Sequence, residues 1–600
     1  MKKSDIFTLP ERLEALFCGR KRILFELLYA GISGALAATV FEGISFTILA
    51  PFLLLPLFFF LEKCTWKEGI YRGFLWGYFW NLCGVFWLRE IVWILPFLLA
   101  AVLGVFNGIF GGAFVFYRKY FLYPLPILLE EAEKRNSFIR FPFWKRFFFP
   151  IAPAAFFTLL EFLRSHVFTG FPWNLLGSVL WEYPILIQIT EYTGIYGLSF
   201  LLVLFNLAFY ETFLQFYLSP PGMRWQGFFR KISPSFLLLL PLTVLLLCQG
   251  EYAIKKKGGE GKEKNVNILR AGIVQPNLSQ RRHGTEEMAQ EALQVNISLS
   301  RQLLEECRKK GEMPHIVIWP ETAVPYLYNS TSPGSTRFRQ ELSRLILEYD
   351  IPFLIGAIFL TPHPESPREL PPLVTNSALL LEKGKFPSFH HKVHLVPFGE
   401  YVPFGNEFPI LNRLVGMGRN LTPGSHFKSL IADSAPQFRF GVAICYEDIF
   451  PFITSSHAAN GANILLTITN DAWYPTSFEP RQHFANSIFR AVENNLPFLR
   501  VGNMDYSCYI APDGRVSETL FRDEKGKKDP GIRKRGCGIL KIPVRKDPSY
   551  ANHMQKSSIF MLSVFLLFLF FFSGAFLNFY RKKKYLYRLV RGEHPAEEKK

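Results

Sequence analysis

Apolar residues run almost unbroken in two parts of this chain and come in short, interrupted stretches in the rest. From residue 23 to 249, and once more near 560–580, the runs approach the about 20 residues that cross a bilayer. Between 250 and 556 the stretches shorten to strand length, separated by Pro and Gly turns and by segments with helical spacing. The pattern predicts eight spans, over 27–41, 46–61, 73–88, 91–117, 147–163, 192–210, 236–248 and 559–580. It predicts strands over 268–274, 315–319, 352–360, 377–381, 438–445, 464–468, 498–501 and 508–510, with helices near 285–309, 335–349 and 481–494. The expected organisation is a membrane domain over 1–250, a Lys/Gly/Glu linker over 251–267 and a layered α/β domain over 268–550. An anchor over 557–580 and a basic tail over 581–600 complete it.

Composition agrees, since 63 Phe in 600 residues and a mean hydropathy of +0.15 are too apolar for a chain wholly in water. Lys and Arg gather in every second loop: Lys2, Lys3, Arg12, Arg20, Lys21 and Arg22 before the first span; Lys63, Lys67 and Arg72 after the second; Arg118, Lys119, Lys134, Arg135, Arg140, Lys145 and Arg146 after the fourth; Arg224, Arg230 and Lys231 after the sixth; Arg581–Lys584 after the last. The positive-inside rule then puts both termini in the cytoplasm and residues 250–556 outside it. The net charge of +18 is explained by cations beside anionic lipid head groups, without nucleic acid. The N-terminus lacks a small-residue cleavage site and reads as an uncleaved anchor.

Eight cysteines lie scattered with no C-x-x-C, so neither zinc nor a disulfide framework is indicated, although Cys307, Cys508 and Cys537 share the α/β domain with Cys445. Cys445 ends an apolar strand-like run and precedes Tyr446-Glu447-Asp448. A thiol attacks only as thiolate, so it needs a base and a cation nearby, and Glu321 and Lys392 offer both. His390, His391 and His394 flank Lys392 in an extended segment without carboxylate companions and read as packing, while Glu161 and Glu191 read as paired carboxylates in or near spans.

Trp319-Pro320-Glu321-Thr322, His391-Lys392-Val393-His394 running on to Pro397-Phe398-Gly399-Glu400, and Ile444-Cys445-Tyr446-Glu447 occur in the order Glu, Lys, Cys. These resemble the triad of the nitrilase (carbon-nitrogen hydrolase) superfamily. With seven spans before and one after, and with Gly170-Phe171-Pro172-Trp173-Asn174, Val274-Gln275-Pro276-Asn277 and Thr469-Asn470-Asp471-Ala472-Trp473, the whole chain is similar to one branch, the apolipoprotein N-acyltransferases. One departure stands out: the branch often has an aromatic residue soon after the Gln-x-Asn segment, and Arg281-Arg282-His283-Gly284 has none.

The resemblance implies a polytopic α-helical membrane domain joined to a four-layer αββα sandwich. It implies Cys445 as nucleophile, Glu321 as general base and Lys392 as oxyanion stabiliser, with Glu400, Tyr446 and Glu447 in support. A phospholipid would donate the acyl group and a diacylglyceryl-cysteine apolipoprotein would accept it, by ping-pong chemistry in the bacterial inner membrane, with no cofactor and no metal. The alternative is a membrane-tethered nitrilase-like amidase. A reporter fused after Lys600 is expected to read cytoplasmic; an external signal would break the eight-span topology.

Overall fold

The computed structural model describes residues 20–41, 47–122, 142–218, 228–260, 266–279, 285–363, 370–474, 477–546 and 553–590, with 406, 409, 411, 412 and 414–419 also left out. The cations expected at 2–12, 134–140 and 224, the Arg281–Gly284 segment and the tail beyond 590 lie outside the described residues.

Among the described residues six helices are long and apolar enough to cross a membrane: Arg22–Phe41, Leu95–Phe121, Phe143–Arg164, Ile195–Phe216, Phe236–Gly258 and Lys556–Lys584. Two expected spans differ. The one over 46–61 is a short apolar piece, Ala50–Phe60. The one over 73–88 belongs to a helix starting earlier, Trp66–Gly84, whose first turns carry Lys67, Glu68 and Arg72 and whose start is fixed by a capping box between Thr65 and Glu68. In chain order we label the helices α1 (Arg20–Ala38), α2 (Leu55–Phe60), α3 (Trp66–Gly84), α4 (Leu95–Phe121), α5 (Ile151–Arg164), α6 (Ile195–Leu218) and α7 (Phe236–Glu260).

Helices α3 and α4 approach closely because Gly69, Gly73 and Gly77 face Asn107 and Gly111; a Cβ on Gly73 would lie 2.5 Å from the Asn107 carbonyl oxygen. Arginines that the sequence assigns to loops are instead drawn into the bundle. Arg72 is held 2.8 Å from Glu26, Arg118 2.5 Å from Glu62, and Arg146 is paired with Glu211. Part of the basic excess is thus neutralised inside protein rather than by lipid.

The α/β domain contains two six-stranded sheets. The first runs β14-β1-β2-β3-β4-β5 and the second β11-β10-β9-β8-β7-β6. Their strands are β1 (Val266–Gln275), β2 (Ile316–Ile318), β3 (Phe353–Thr361), β4 (Leu373–Leu381), β5 (Ser388–His391), β6 (Leu430–Ile431), β7 (Arg439–Ile444), β8 (Ile464–Thr469), β9 (Phe498–Gly502), β10 (Cys508–Ile510) and β11 (Val516–Thr519). After the small β12 (Phe521–Arg522) and β13 (Lys528–Asp529) comes β14 (Gly536–Arg545). Leu269, Ala271 and Ile273 of β1 meet Val442, Ile444, Leu466 and Val501 of the second sheet in a common core. Helices α8 (Glu286–Lys310) and α9 (Pro333–Tyr349) cover the outer face of the first sheet, and α10 (Pro451–Ala459) and α11 (Glu479–Asn494) that of the second. The result is the expected four-layer sandwich, with central strands buried on both faces and therefore continuously apolar.

The sequence missed β14, which pairs antiparallel with β1 over Val266–Gln275 and tolerates Pro543 because it forms the sheet edge. A final helix, α12 (His553–Val590), continues past the expected anchor, so Arg581–Lys584 are helical rather than tail. The expected linker is also helical as far as Glu260. There Lys257 is buried, with its ammonium 3.1 Å from Glu191 Oε2 and donating to Gln188 Oε1 and the Pro512 carbonyl, which fastens the last turns of α7 to the α/β domain. Cys307, Cys508 and Cys537 form no disulfide.

Lys257→Met leaves the half-buried Glu191 without its partner, so it is expected to destabilise the protein by about 2 kcal/mol, with Lys257→Met/Glu191→Gln recovering most of the loss. Thermal unfolding in detergent checks this; equal midpoints for the single variant and wild type would refute it.

Candidate active site

Glu321 leaves the end of β2 through Trp319-Pro320, and the next residue, Thr322, has a φ of 44°. The turn fits because β3 has glycine behind it: a Cβ on Gly356 would lie 2.5 Å from the Glu321 Cα. Lys392 follows β5; its N–H donates to the Asn376 carbonyl at 2.8 Å and its own carbonyl accepts from Gly424 N at 2.7 Å. Its side chain is 1% exposed, and its ammonium lies 2.9 Å from Glu400 Oε1 and 3.4 Å from Glu321 Oε1. Asn376 of β4 donates through one amide nitrogen to both carboxylates, at 2.8 and 2.9 Å. Val396 N donates to the other oxygen of Glu400. One cation and one amide thus hold two carboxylates together.

Cys445 follows β7 in the left-handed region, with a φ of 53°, so the turn that carries its thiol is strained. Glu447, fully buried, holds it: it accepts from Ile444 N at 2.7 Å, and from Val393 N and His394 N at 2.6 and 2.9 Å. The turn carrying the thiol is in this way bolted to the segment carrying Lys392. The thiol lies close enough to the Glu321 carboxylate for each group to shift the other's ionisation. Glu321, Lys392 and Cys445 therefore converge, with Glu400 and Glu447 around them. Tyr446 turns away, its hydroxyl 3.4 Å from the Gly170 carbonyl on the α5–α6 loop.

Burial raises the pKa of Glu321, and Lys392 opposes the rise. Burial alone would lower Lys392, but Glu400 and Glu321 outweigh it and keep the ammonium charged. Burial and the Glu321 charge push the Cys445 thiol well above the usual thiol range, against the pull of Lys392. Burial also pushes Glu447 up to about 7, against its backbone donors and Lys392.

Behind the nucleophile lies a charge network that the sequence reading overlooked. Arg500, fully buried on β9, bonds to Asp448 and Asp471 at 2.9 Å each and to Asp505. Its signal was a lone cation inside the apolar strand Phe498–Gly502. His483 of α11 sits 2.8 Å from Asp448 Oδ1 and 3.3 Å from the Cys445 carbonyl. Asp448 and Asp471 overcome its burial and hold the imidazole protonated. Asp471, Glu479 and His483 offer donors within 4.8 Å of one another, but the Arg500 guanidinium, bonded to Asp471 and 3.1 Å from His483 Nδ1, supplies the positive charge there. His390, His391 and His394 do not converge: they stack edge-on with His457, bond to Ser377 and lie over Phe450, respectively.

The membrane domain reaches this site. Val85 and Trp87 from the α3–α4 loop and Trp173 from the α5–α6 loop join Ala443, Tyr446, Ile449 and Phe450 in one apolar cluster.

Two family descriptions match in tandem: the apolipoprotein N-acyltransferase N-terminal domain over residues 33–208 and the carbon-nitrogen hydrolase domain over residues 270–527. The chain is 27% identical to the apolipoprotein N-acyltransferase of Geobacter metallireducens over 82% of this chain and 86% of that one. It is 28% identical to that of Rickettsia bellii over 80% and 87%, and 29% identical to that of Brucella suis over 77% and 79%. The chain belongs to the apolipoprotein N-acyltransferase family. As an apolipoprotein N-acyltransferase it is a multi-pass membrane enzyme, an acyltransferase with a nitrilase-like domain.

In this N-acyltransferase Cys445 is expected to hold its proton at pH 7, so alkylation by iodoacetamide should keep accelerating through pH 9. Peptide mass mapping, after Cys83 and Cys248 are changed to Ser, reads the rate; a plateau near neutrality would mean a stable thiolate.

Proposed function

We propose that the enzyme moves an acyl chain from a phospholipid to the N-terminal amine of a diacylglyceryl-cysteine apolipoprotein through a thioester on Cys445. The observation that carries this reading is the convergence of the Cys445 thiol, the Glu321 carboxylate and the buried Lys392 ammonium next to an apolar cluster contributed partly by membrane loops. Glu321 takes the thiol proton as sulfur attacks the ester carbonyl, and the Lys392 ammonium stabilises the oxyanion. A donor fixed in this way lowers the barrier by about 3 kcal/mol. As the ester C–O bond breaks, Glu321 returns the proton to the departing lysophospholipid. In the second half the acceptor amine attacks the thioester, Glu321 accepts its proton, and the C–S bond breaks to regenerate the thiol and leave an amide.

Asn376 and Glu400 keep Lys392 and Glu321 in register, and Glu447 holds the nucleophile turn. Residues 268–550 lie on the periplasmic side and both termini in the cytoplasm. Aromatic residues at the helix ends give the acyl chains an apolar path from the outer leaflet.

The test is intact mass of wild type and Cys445→Ala after incubation with phosphatidylethanolamine, followed by a diacylated lipopeptide with a free amine. Wild type is expected to gain one acyl mass and to lose it to the lipopeptide; an adduct lost only to water would favour the amidase, and none would sink the thioester. The acylation rate should fall as pH drops, because Glu321 accepts a proton only when ionised, and burial places that fall above the ordinary value of 4.5. Glu321→Gln should abolish acylation at every pH.

A further inference from the structure

One side-chain oxygen joins three distant parts of the chain next to the nucleophile. Gln482 Oε1, on α11, accepts from Trp173 Nε1 at 2.8 Å, from Trp87 Nε1 at 3.1 Å and, more weakly, from Asn174 Nδ2 at 3.5 Å. The two indoles come from different membrane-domain loops and lie 5.0 Å apart between ring centroids. Trp173 is 2% exposed, Gln482 5% and Trp87 9%. An indole N–H is a donor with no acceptor of its own, so each ring, once buried, needs a fixed oxygen. Trp87 also leans on the Gly84 carbonyl at 3.2 Å, whereas for Trp173 the Gln482 oxygen is the partner described.

The rings so held form a wall of the reaction site. Trp87 stands edge-on to Tyr474 at 4.6 Å, Trp173 lies 5.7 Å from the His483 ring, and both belong to the apolar cluster containing Ala443 and Tyr446, on either side of the nucleophile. His483, next in sequence to Gln482, contacts the Cys445 carbonyl. The same turn of α11 therefore sets both the wall and the nucleophile's backbone.

An enzyme that stores an acyl group on sulfur for a bulky acceptor must keep water away from it. Water oxygen attacking the thioester carbonyl breaks the C–S bond; the thiol takes back a proton and the chain leaves as a free fatty acid. We propose that Gln482, acting through the indoles of Trp87 and Trp173, is the positioning residue that shields the Cys445 thioester from water and so sets the ratio of transfer to hydrolysis. This rests on the thioester reading given above. Without the Gln482 oxygen, the buried Trp173 N–H loses its described acceptor and Trp87 keeps only the longer bond to the Gly84 carbonyl, so the rings turn to find water.

The full-length enzyme in detergent is loaded with phosphatidylethanolamine, the donor is removed, and decay of the acyl-enzyme mass is followed with and without the diacylated lipopeptide. Gln482→Leu is expected to load but to lose its adduct to water about tenfold faster, the factor that one buried hydrogen bond is worth, with the ratio of free fatty acid to amide rising in step. Trp173→Phe keeps an aromatic ring but removes the indole N–H together with its five-membered ring, and should move both readings the same way. Decay in both variants at the wild-type rate overturns the proposal. So does failure to load with the fold intact, since that would place Gln482 in donor access. If Gln482→Leu does not fold, Trp173→Phe decides alone. Absence of an adduct on wild type defeats the thioester reading instead, and is seen before either variant is compared.

Discussion

The ammonium of Lys392, 1% exposed between two carboxylates, is the constraint around which the α/β domain is arranged. Removing such a charge from water costs several kcal/mol, and only close partners with good geometry offset that. Here the partners are Glu321 after β2 and Glu400 on the loop after β5, and these carboxylates are held in turn by donors from Asn376 on β4 and the backbone of Val396. None is near another in sequence except Glu400 and Val396. The cluster can form only when the first sheet is in register, which is why Gly356 must let β3 pass beneath the Glu321 turn.

The second sheet supplies a strained thiol. A non-glycine residue in the left-handed region costs of order 1–3 kcal/mol and survives only where its surroundings over-determine it. At Cys445 they do so twice. Glu447 ties the turn to the Lys392 segment, and the Asp448–Arg500–Asp471 network, with His483 reaching the Cys445 carbonyl, fixes it to β9 and α11. Strain in the turn and charge beneath it keep the sulfur beside Glu321 before any substrate is present.

The elements of the α/β domain were legible because period and punctuation are local. Strands 464–468 and 508–510 and the helix near 481–494 match Ile464–Thr469, Cys508–Ile510 and Glu479–Asn494 within two residues. Glu321, Lys392 and Cys445 could be singled out because each sits in a short motif, and the fold brings the three together. The surrounding partners were not, since Asn376 and Arg500 look like interior strand residues and gain their roles from neighbours across a sheet. The membrane helices were read less well for a related reason. Arg72, Arg118 and Arg146 look like loop cations, and Lys257 like linker, until Glu26, Glu62, Glu211 and Glu191 from other helices are seen to meet them. Hydropathy registers a charge but not its partner.

Helix α12 packs back on α4 and α5: Phe572 stacks with Tyr117, Phe568 with Phe156, and Asn578 donates to the Tyr120 carbonyl. It follows β14, which completes the first sheet against β1. During synthesis α4 and α5 therefore sit with one flank open while hundreds of residues are made, and that flank closes only after the α/β sandwich has received its last strand. The order of assembly is written into the connectivity: the bundle is sealed by a segment that emerges after the α/β domain, so a chain stalled before α12 leaves the α4 and α5 faces bare in lipid.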